Sequence, residues 1–344
     1  MNRLTTIPPL FLAVCLLLIV GCRTAAPLPT VVPVAVLPPT PVVVHPTPTA
    51  AVPPPEPTVP PTPEMGVTPT AQLPSTAAPP TPLVTPLIPL APLPTPCAAP
   101  GRIENGLLDS SVAGEPMRYR IYLPPCYGDD GRVYPALYLL GGNIHDDGIW
   151  DALGMDEAAE AAFASGRLPP MLIVMPDNGW LANTTTSGPG SYEGFVLNEL
   201  IPTIEGRTCA WPAAEGRAVG GLSRGGYWSL MMAFRRPDLF RSAAAHSPAL
   251  IDEFAGAAED PVVTGVVNDL GDLRIWLDIG ERDPYLVEAR PLHEALTADG
   301  VAHEWRVNPG QHDNAYWQAH LTEYLEWYSG GFPTDRTTLP ECER

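Results

Sequence analysis

Gly221-Leu222-Ser223-Arg224-Gly225, set between a short apolar run and a stretch of helical character, constrains the fold of this chain more than any other feature. Ala218-Val219-Gly220 leads in and Trp228-Ser229-Leu230-Met231-Met232-Ala233-Phe234 follows, so the chain reads strand, sharp turn, helix. A serine on such a turn needs small residues two positions away on either side, because its hydroxyl must project above a sheet while strand and helix pack closely. Gly221 and Gly225 meet that need. The N–H of Arg224 then lies at a helix N-terminus, where it can help to hold a developing negative charge.

The same alternation runs through the C-terminal part of the chain. Met117 to Pro125 alternates and ends in a proline stop, and Ala136 to Leu140 is an apolar run that breaks into Gly141-Gly142-Asn143. Met171 to Pro176, Ser242 to His246, Leu273 to Ile279 and Ala302 to Val307 also read as strands. Helical spacing covers Asp156 to Ala164, Tyr192 to Glu205, Tyr285 to Ala298 and Asn314 to Trp327. Strands alternating with helices predict a mostly parallel sheet covered on both faces, an α/β domain over residues 98–344.

The first hundred residues differ. Arg3, an apolar run from Leu10 to Val20 and Gly21-Cys22 read as an export signal over 1–22. That run is shorter than the roughly 20 residues a stable membrane span needs. Leu18-Ile19-Val20-Gly21-Cys22 resembles a bacterial lipobox, which makes Cys22 the expected lipidation site and the outer face of a bacterial membrane the expected location, with plain secretion as the other outcome. Between Pro27 and Pro96, 25 of 70 residues are proline and the only charges are Glu56 and Glu64. Such a tract, assigned to a disordered linker over 23–97, favours extended polyproline II and can reach on the order of 200 Å. All 19 basic residues are arginine, against 38 acidic ones, and the net charge of −19 disfavours nucleic acid and anionic lipid as partners.

In parallel sheets chemistry collects beyond the carboxyl ends of the strands. There the chain offers Asp278 and Asp283 around one strand end and His312 just past the last strand. Asp278 lies within its strand and is expected to be structural, whereas Asp283 follows Gly280 in a loop that can reach over the sheet. The order Ser223, Asp283, His312 is that of an α/β-hydrolase triad. The neutral histidine ring can accept the serine proton near neutral pH, and the acid fixes its tautomer.

Four stretches extend this reading: Ile121-Tyr122-Leu123-Pro124-Pro125-Cys126-Tyr127, Tyr138-Leu139-Leu140-Gly141-Gly142, Gly220 to Gly226, and Gly310-Gln311-His312-Asp313. In these the chain from about Gly101 to Gly330 resembles the esterase D-like esterases, the group that contains feruloyl and acetylxylan esterases, siderophore esterases, S-formylglutathione hydrolase and mycolyltransferases. The resemblance implies an α/β-hydrolase fold, Ser223 as nucleophile, Asp283 as acid, His312 as base, and an oxyanion hole from the N–H groups of Asn143 and Arg224. Gly141-Gly142 departs from the His-Gly that many members carry after the third strand.

These residues predict a serine ester hydrolase working through an acyl-enzyme without cofactor, on a small-molecule or polysaccharide-linked ester. An acyltransferase of the mycolyltransferase type and a catalytically silent surface-binding module are the competing classes. His145, Trp150 and Trp180, in loops near the expected site, are candidate substrate contacts, and His246 is expected to be a buried structural histidine. No Cys/His spacing resembles a zinc site, so no metal is implied. Cys97, Cys126, Cys209 and Cys342 remain after the signal, an even set in an exported domain. Of three possible pairings, Cys126 with Cys209 and Cys97 with Cys342 is the expected one.

Overall fold

Among the described residues eight strands form one sheet in the order β1-β2-β4-β3-β5-β6-β7-β8. They are β1 (Arg102–Asp109), β2 (Pro116–Leu123), β3 (Ala136–Leu140), β4 (Leu172–Pro176), β5 (Arg217–Leu222), β6 (Ser242–His246), β7 (Arg274–Gly280) and β8 (Glu304–Asn308). β1 and β2 run antiparallel at one edge, and β3 to β8 are parallel, so this is the mostly parallel sheet that the alternation predicts, in the α/β-hydrolase fold that the resemblance implies. This computed structural model describes residues 99–185, 187–251 and 255–343. The expected export signal with Cys22, the proline-rich tract over 23–97 and Cys97 lie outside the described residues.

The helices are α1 (Ile149–Ala152), α2 (Met155–Ala164), α3 (Leu181–Thr184), α4 (Tyr192–Gly194), α5 (Ile201–Arg207), α6 (Arg224–Arg235), α7 (Pro261–Val267), α8 (Leu286–Ala298) and α9 (Asn314–Ser329). A π-helical stretch, Phe195–Leu200, joins α4 to α5. Both faces of the sheet are covered, which explains why β3 is apolar at every position: alternate side chains enter opposite cores. Tyr138 and Leu140 pack in one core with Trp228 and Met231 of α6, and Leu137 and Leu139 in the other with Trp317 and Tyr324 of α9. Complete burial of Leu139 contributes about 1.5–3 kcal/mol.

β4 and β5 flank β3 on opposite sides, so the chain leaves β3 in one direction and returns in the other. Such a switch point opens a crevice beyond the carboxyl ends of the strands. Gly141-Gly142-Asn143 after β3 and Ser223 after β5 both lie at that crevice.

β1 carries no clear strand signal, being mostly exposed with a central glycine. It forms because Gly106 lets the Tyr119 ring of β2 lie across it; a Cβ there would fall 2.0 Å from the ring. The cysteine pairing is corrected: the disulfide joins Cys209 to Cys342, not Cys126 to Cys209 or Cys97 to Cys342. The C-terminal segment returns beside residues 131–134, where Cys342 N–H donates to Gly131 and Tyr134 N–H donates to Cys209, and this brings the two cysteines together. Cys126 is also disulfide-bonded.

Candidate active site

Ser223 stands between the last residue of β5 and the first of α6 with φ 55° and ψ −121°. A non-glycine residue in such a conformation costs about 1–3 kcal/mol, which the surroundings must offset. Its N–H donates to the His246 carbonyl at 3.0 Å, and its carbonyl accepts from Gly226 at 3.0 Å and Ala249 at 3.1 Å. A Cβ on Gly221 would lie 2.4 Å from the Gly225 backbone, and one on Gly225 2.4 Å from the Leu140 oxygen. The turn closes only with glycine at both positions.

His312, in the turn between β8 and α9, reaches back over the strand ends. Its Nε2 lies 2.9 Å from Ser223 Oγ and its Nδ1 2.9 Å from Asp283 Oδ2. The other Asp283 oxygen accepts from the Tyr285 N–H at 2.8 Å, and the side chain is buried in the turn before α8. Tyr285 and Trp317 set their rings edge to face with the imidazole, at 4.8 and 5.1 Å between centroids. The structure therefore brings Ser223, His312 and Asp283 together in one line of hydrogen bonds.

Asp278 is kept apart from that line. It is fully buried, paired in register with His246 on β6, and its Oδ1 lies 2.5 Å from His246 Nδ1. Tyr316 and Tyr324 hydroxyls donate to its second oxygen at 2.8 and 3.1 Å. His246 stacks on Tyr324 at 3.7 Å, in the interior.

The turn after β3 faces the serine, with the Cβ direction of Gly142 ending 3.3 Å from Ser223 Cβ. The buried amide of Asn178 donates to both the Gly141 and Gly142 carbonyls, at 2.6 and 2.7 Å, and Tyr192 donates to Asn178 Oδ1 at 2.9 Å. Because the peptide is trans and planar, the Asn143 N–H points away from the Gly142 carbonyl and from Asn178. The Gly142 N–H is engaged by His145 Nδ1 at 3.2 Å, and the Asn143 carbonyl accepts from Asn183 at 2.6 Å. Burial holds the His145 pKa below its ordinary value, against the opposing pull of Asp146. Asn178 escaped the sequence reading, although it stands just past β4, in the same row of strand ends that pointed to Asp283 and His312.

His145 lines a cavity of about 520 Å³ together with Arg120, Ile144, Asp146 and Asp151. Arg120 also pairs with Asp151 and Asp147, tying this loop to β2, and Arg118 of the same strand pairs with Asp177 just past β4 at 2.9 Å. Trp180 is 48% exposed and donates to Glu115 at 2.9 Å. Trp150 is a correction: it is a fully buried core residue, not a ligand contact, because its Nε1–H donates to the Leu140 carbonyl at 3.1 Å and its ring meets His246 and Tyr324 edge to face. A larger cleft of about 860 Å³ lies at the opposite end of the sheet, around Arg241 and Arg274, and includes none of Ser223, Asp283 and His312. Among the described residues no three His, Cys, Asp or Glu gather as a metal site.

Esterase Rv1288 of Mycobacterium tuberculosis is 30% identical over 241 residues, which cover 56% of this chain and 51% of that protein. The chain thus spans about half the length of that curated relative. A solved ferulic acid esterase superposes with a TM-score of 0.61 at 26% identity, covering 68% of this chain and 98% of that one. The S-formylglutathione hydrolase FrmB of Staphylococcus aureus shares the fold with a TM-score of 0.57 at 16% identity, covering 67% of this chain and 99% of that one. The Esterase family model, described as Putative esterase, matches residues 110–328, well over half of the chain, and on this ground the protein belongs to the esterase family of α/β-hydrolases.

Proposed function

We propose that the chain is a serine carboxylic-ester hydrolase. The observation that carries this is the paired 2.9 Å approach of His312 to Ser223 on one side and to Asp283 on the other. Family membership and the likeness to a ferulic acid esterase support it.

In the proposed reaction His312 Nε2 takes the proton of Ser223 Oγ as the oxygen attacks the ester carbonyl carbon. The carbonyl electron pair moves onto oxygen, and the backbone N–H groups of Asn143 and Arg224 receive that oxyanion. When the carbon–oxygen bond to the alcohol breaks, the imidazolium returns its proton to the leaving oxygen. Water then attacks the acyl-serine with His312 again as base, releasing the acid and restoring Ser223. Asp283 stays ionised throughout and holds the ring with Nδ1–H toward itself. Esters of ferulic acid are the first substrates to test, followed by acetyl and longer acyl esters. Hydrolysis of at least one such ester by the wild type, lost in Ser223→Ala, is the expected result; a panel without turnover would refute the assignment.

Export and lipid anchoring at Cys22 form the second part of the proposal and rest on the leader sequence alone. Among the described residues no helix is long and apolar enough to cross a membrane. Cys22→Ala is expected to move the protein from the membrane fraction to the soluble fraction of an expressing bacterium. Unchanged membrane association would contradict it.

A further inference from the structure

Asp278 takes no part in the hydrogen-bonded line of Ser223, His312 and Asp283, yet it is the most thoroughly enclosed acid near it. Its carboxylate is fully buried and meets three donors: His246 Nδ1 at 2.5 Å, Tyr316 OH at 2.8 Å and Tyr324 OH at 3.1 Å. A His246 tautomer protonated on Nδ1 supplies the first and leaves Nε2 to accept from Tyr328 OH at 3.1 Å. Burial and the neighbouring Asp278 hold the three tyrosine pKa values well above the ordinary phenol range, so these hydroxyls remain donors. A buried carboxyl group with both oxygens so engaged is fixed in one orientation.

The three tyrosines stand on α9 at spacings of eight and four residues, hence on one face of the helix. Tyr316 differs from the others in what else it touches. Its hydroxyl accepts from Asn308 Nδ2 at 3.2 Å, and its N–H donates to Asp313 Oδ1 at 2.9 Å. Its ring lies against Gly310, where a Cβ would fall 2.5 Å from Cδ2. Asn308, Gly310 and Asp313 bracket His312. From the opposite side, Glu281 N–H donates to the Asn308 carbonyl at 2.8 Å and Arg282 N–H to the Gly310 carbonyl at 3.0 Å. The segment bearing His312 is thus held between the turn that carries Asp283 and the side chain of Tyr316. Tyr324 shares the same Asp278 oxygen but contacts His246, Trp150 and Trp276 instead.

We infer that Asp278, acting through Tyr316, is a positioning residue for His312: the buried carboxylate fixes the Tyr316 ring, and the ring fixes the turn from which the imidazole reaches Ser223 and Asp283. This rests on His312 being the base of the proposed reaction. A displacement of that ring by a fraction of a hydrogen-bond length would slow proton transfer without changing how substrate binds.

Tyr316→Phe and Tyr324→Phe each remove one hydroxyl from the same carboxylate oxygen, so a purely structural network predicts the same consequences for both. Positioning predicts similar losses of melting temperature in the two variants but different kinetics. The kcat of Tyr316→Phe falls about 10- to 100-fold with KM within about twofold, and that of Tyr324→Phe stays within about threefold of wild type. Equal kcat losses in the two variants, or a Tyr316→Phe kcat within about twofold of wild type, would overturn the inference. Ser223→Ala in the same assay separates the two layers: if it keeps turnover, the triad reading falls and takes this inference with it. If it is inactive, the two tyrosine variants decide the inference by themselves.

Discussion

The side-chain amide of Asn178 donates to the carbonyl oxygens of both Gly141 and Gly142, and this double contact holds the turn whose Gly142 faces Ser223. With the Asn143 N–H next in this turn as the proposed oxyanion donor, Asn178→Ala should lower kcat and kcat/KM together by about 10- to 100-fold. Steady-state kinetics on the purified variant check this. A rise in KM at constant kcat would place Asn178 in substrate binding instead.

The two acids near the strand ends should differ in what their loss lowers most. Asp283→Asn is expected to keep the wild-type melting temperature and to lose about 10³- to 10⁴-fold in turnover, since the histidine loses the partner that selects its tautomer. Asp278→Asn leaves the donors of His246, Tyr316 and Tyr324 facing a neutral amide in the interior and should cost about 3 kcal/mol of stability. Denaturant melts alongside kinetics test the pair; an Asp283→Asn variant with near wild-type turnover would exchange the two roles.

Much of this division was legible in the sequence, for a physical reason. The positions of Ser223, Asp283 and His312 follow from where a parallel sheet ends its strands, and strand ends are marked by glycine and by the loss of apolar runs. The glycines at 221 and 225 announced a close backbone approach, which the Leu140 carbonyl makes. Asn178 was not legible because a hydrogen bond to a backbone carbonyl leaves no pattern in composition or period. Trp150 was misread because its segment forms the short helix α1 with this side chain turned inward: the indole N–H finds the Leu140 carbonyl, and the ring fills space beside His246. The cysteine pairing depended on the path of the C-terminal segment after α9, which has no periodic signal.

Reduction of the Cys209–Cys342 bridge should destabilise the domain. The cysteines are 133 residues apart, and closing a loop of that order contributes about 4–5 kcal/mol in the chain-entropy description. Cys342→Ser is expected to lower the denaturant midpoint with little change in kcat, because the bridge lies away from the strand ends that carry the site. An unchanged midpoint would contradict this.

A pH-dependent effect is expected at Asp156. Burial, and then the adjoining Glu157, push its carboxyl up to about 7, well above the ordinary aspartate range. A raised carboxyl binds more protons in the folded state, so the fold loses stability as pH rises from about 4 and the penalty is complete above about 7. Asp156→Asn removes the ionisation. The variant should melt higher than wild type at pH 8, with the difference vanishing near pH 4; a difference independent of pH would argue against this account.

Intact-protein mass spectrometry after treatment with a fluorophosphonate tests whether Ser223 is the nucleophile. One phosphonyl adduct per chain is expected, mapped to the peptide containing Ser223, with ester hydrolysis lost in parallel. Ser223→Ala should take up no adduct and hydrolyse esters at least about 10⁴-fold more slowly than wild type. Labelling at another residue, or a folded Ser223→Ala variant that keeps wild-type turnover, would contradict it.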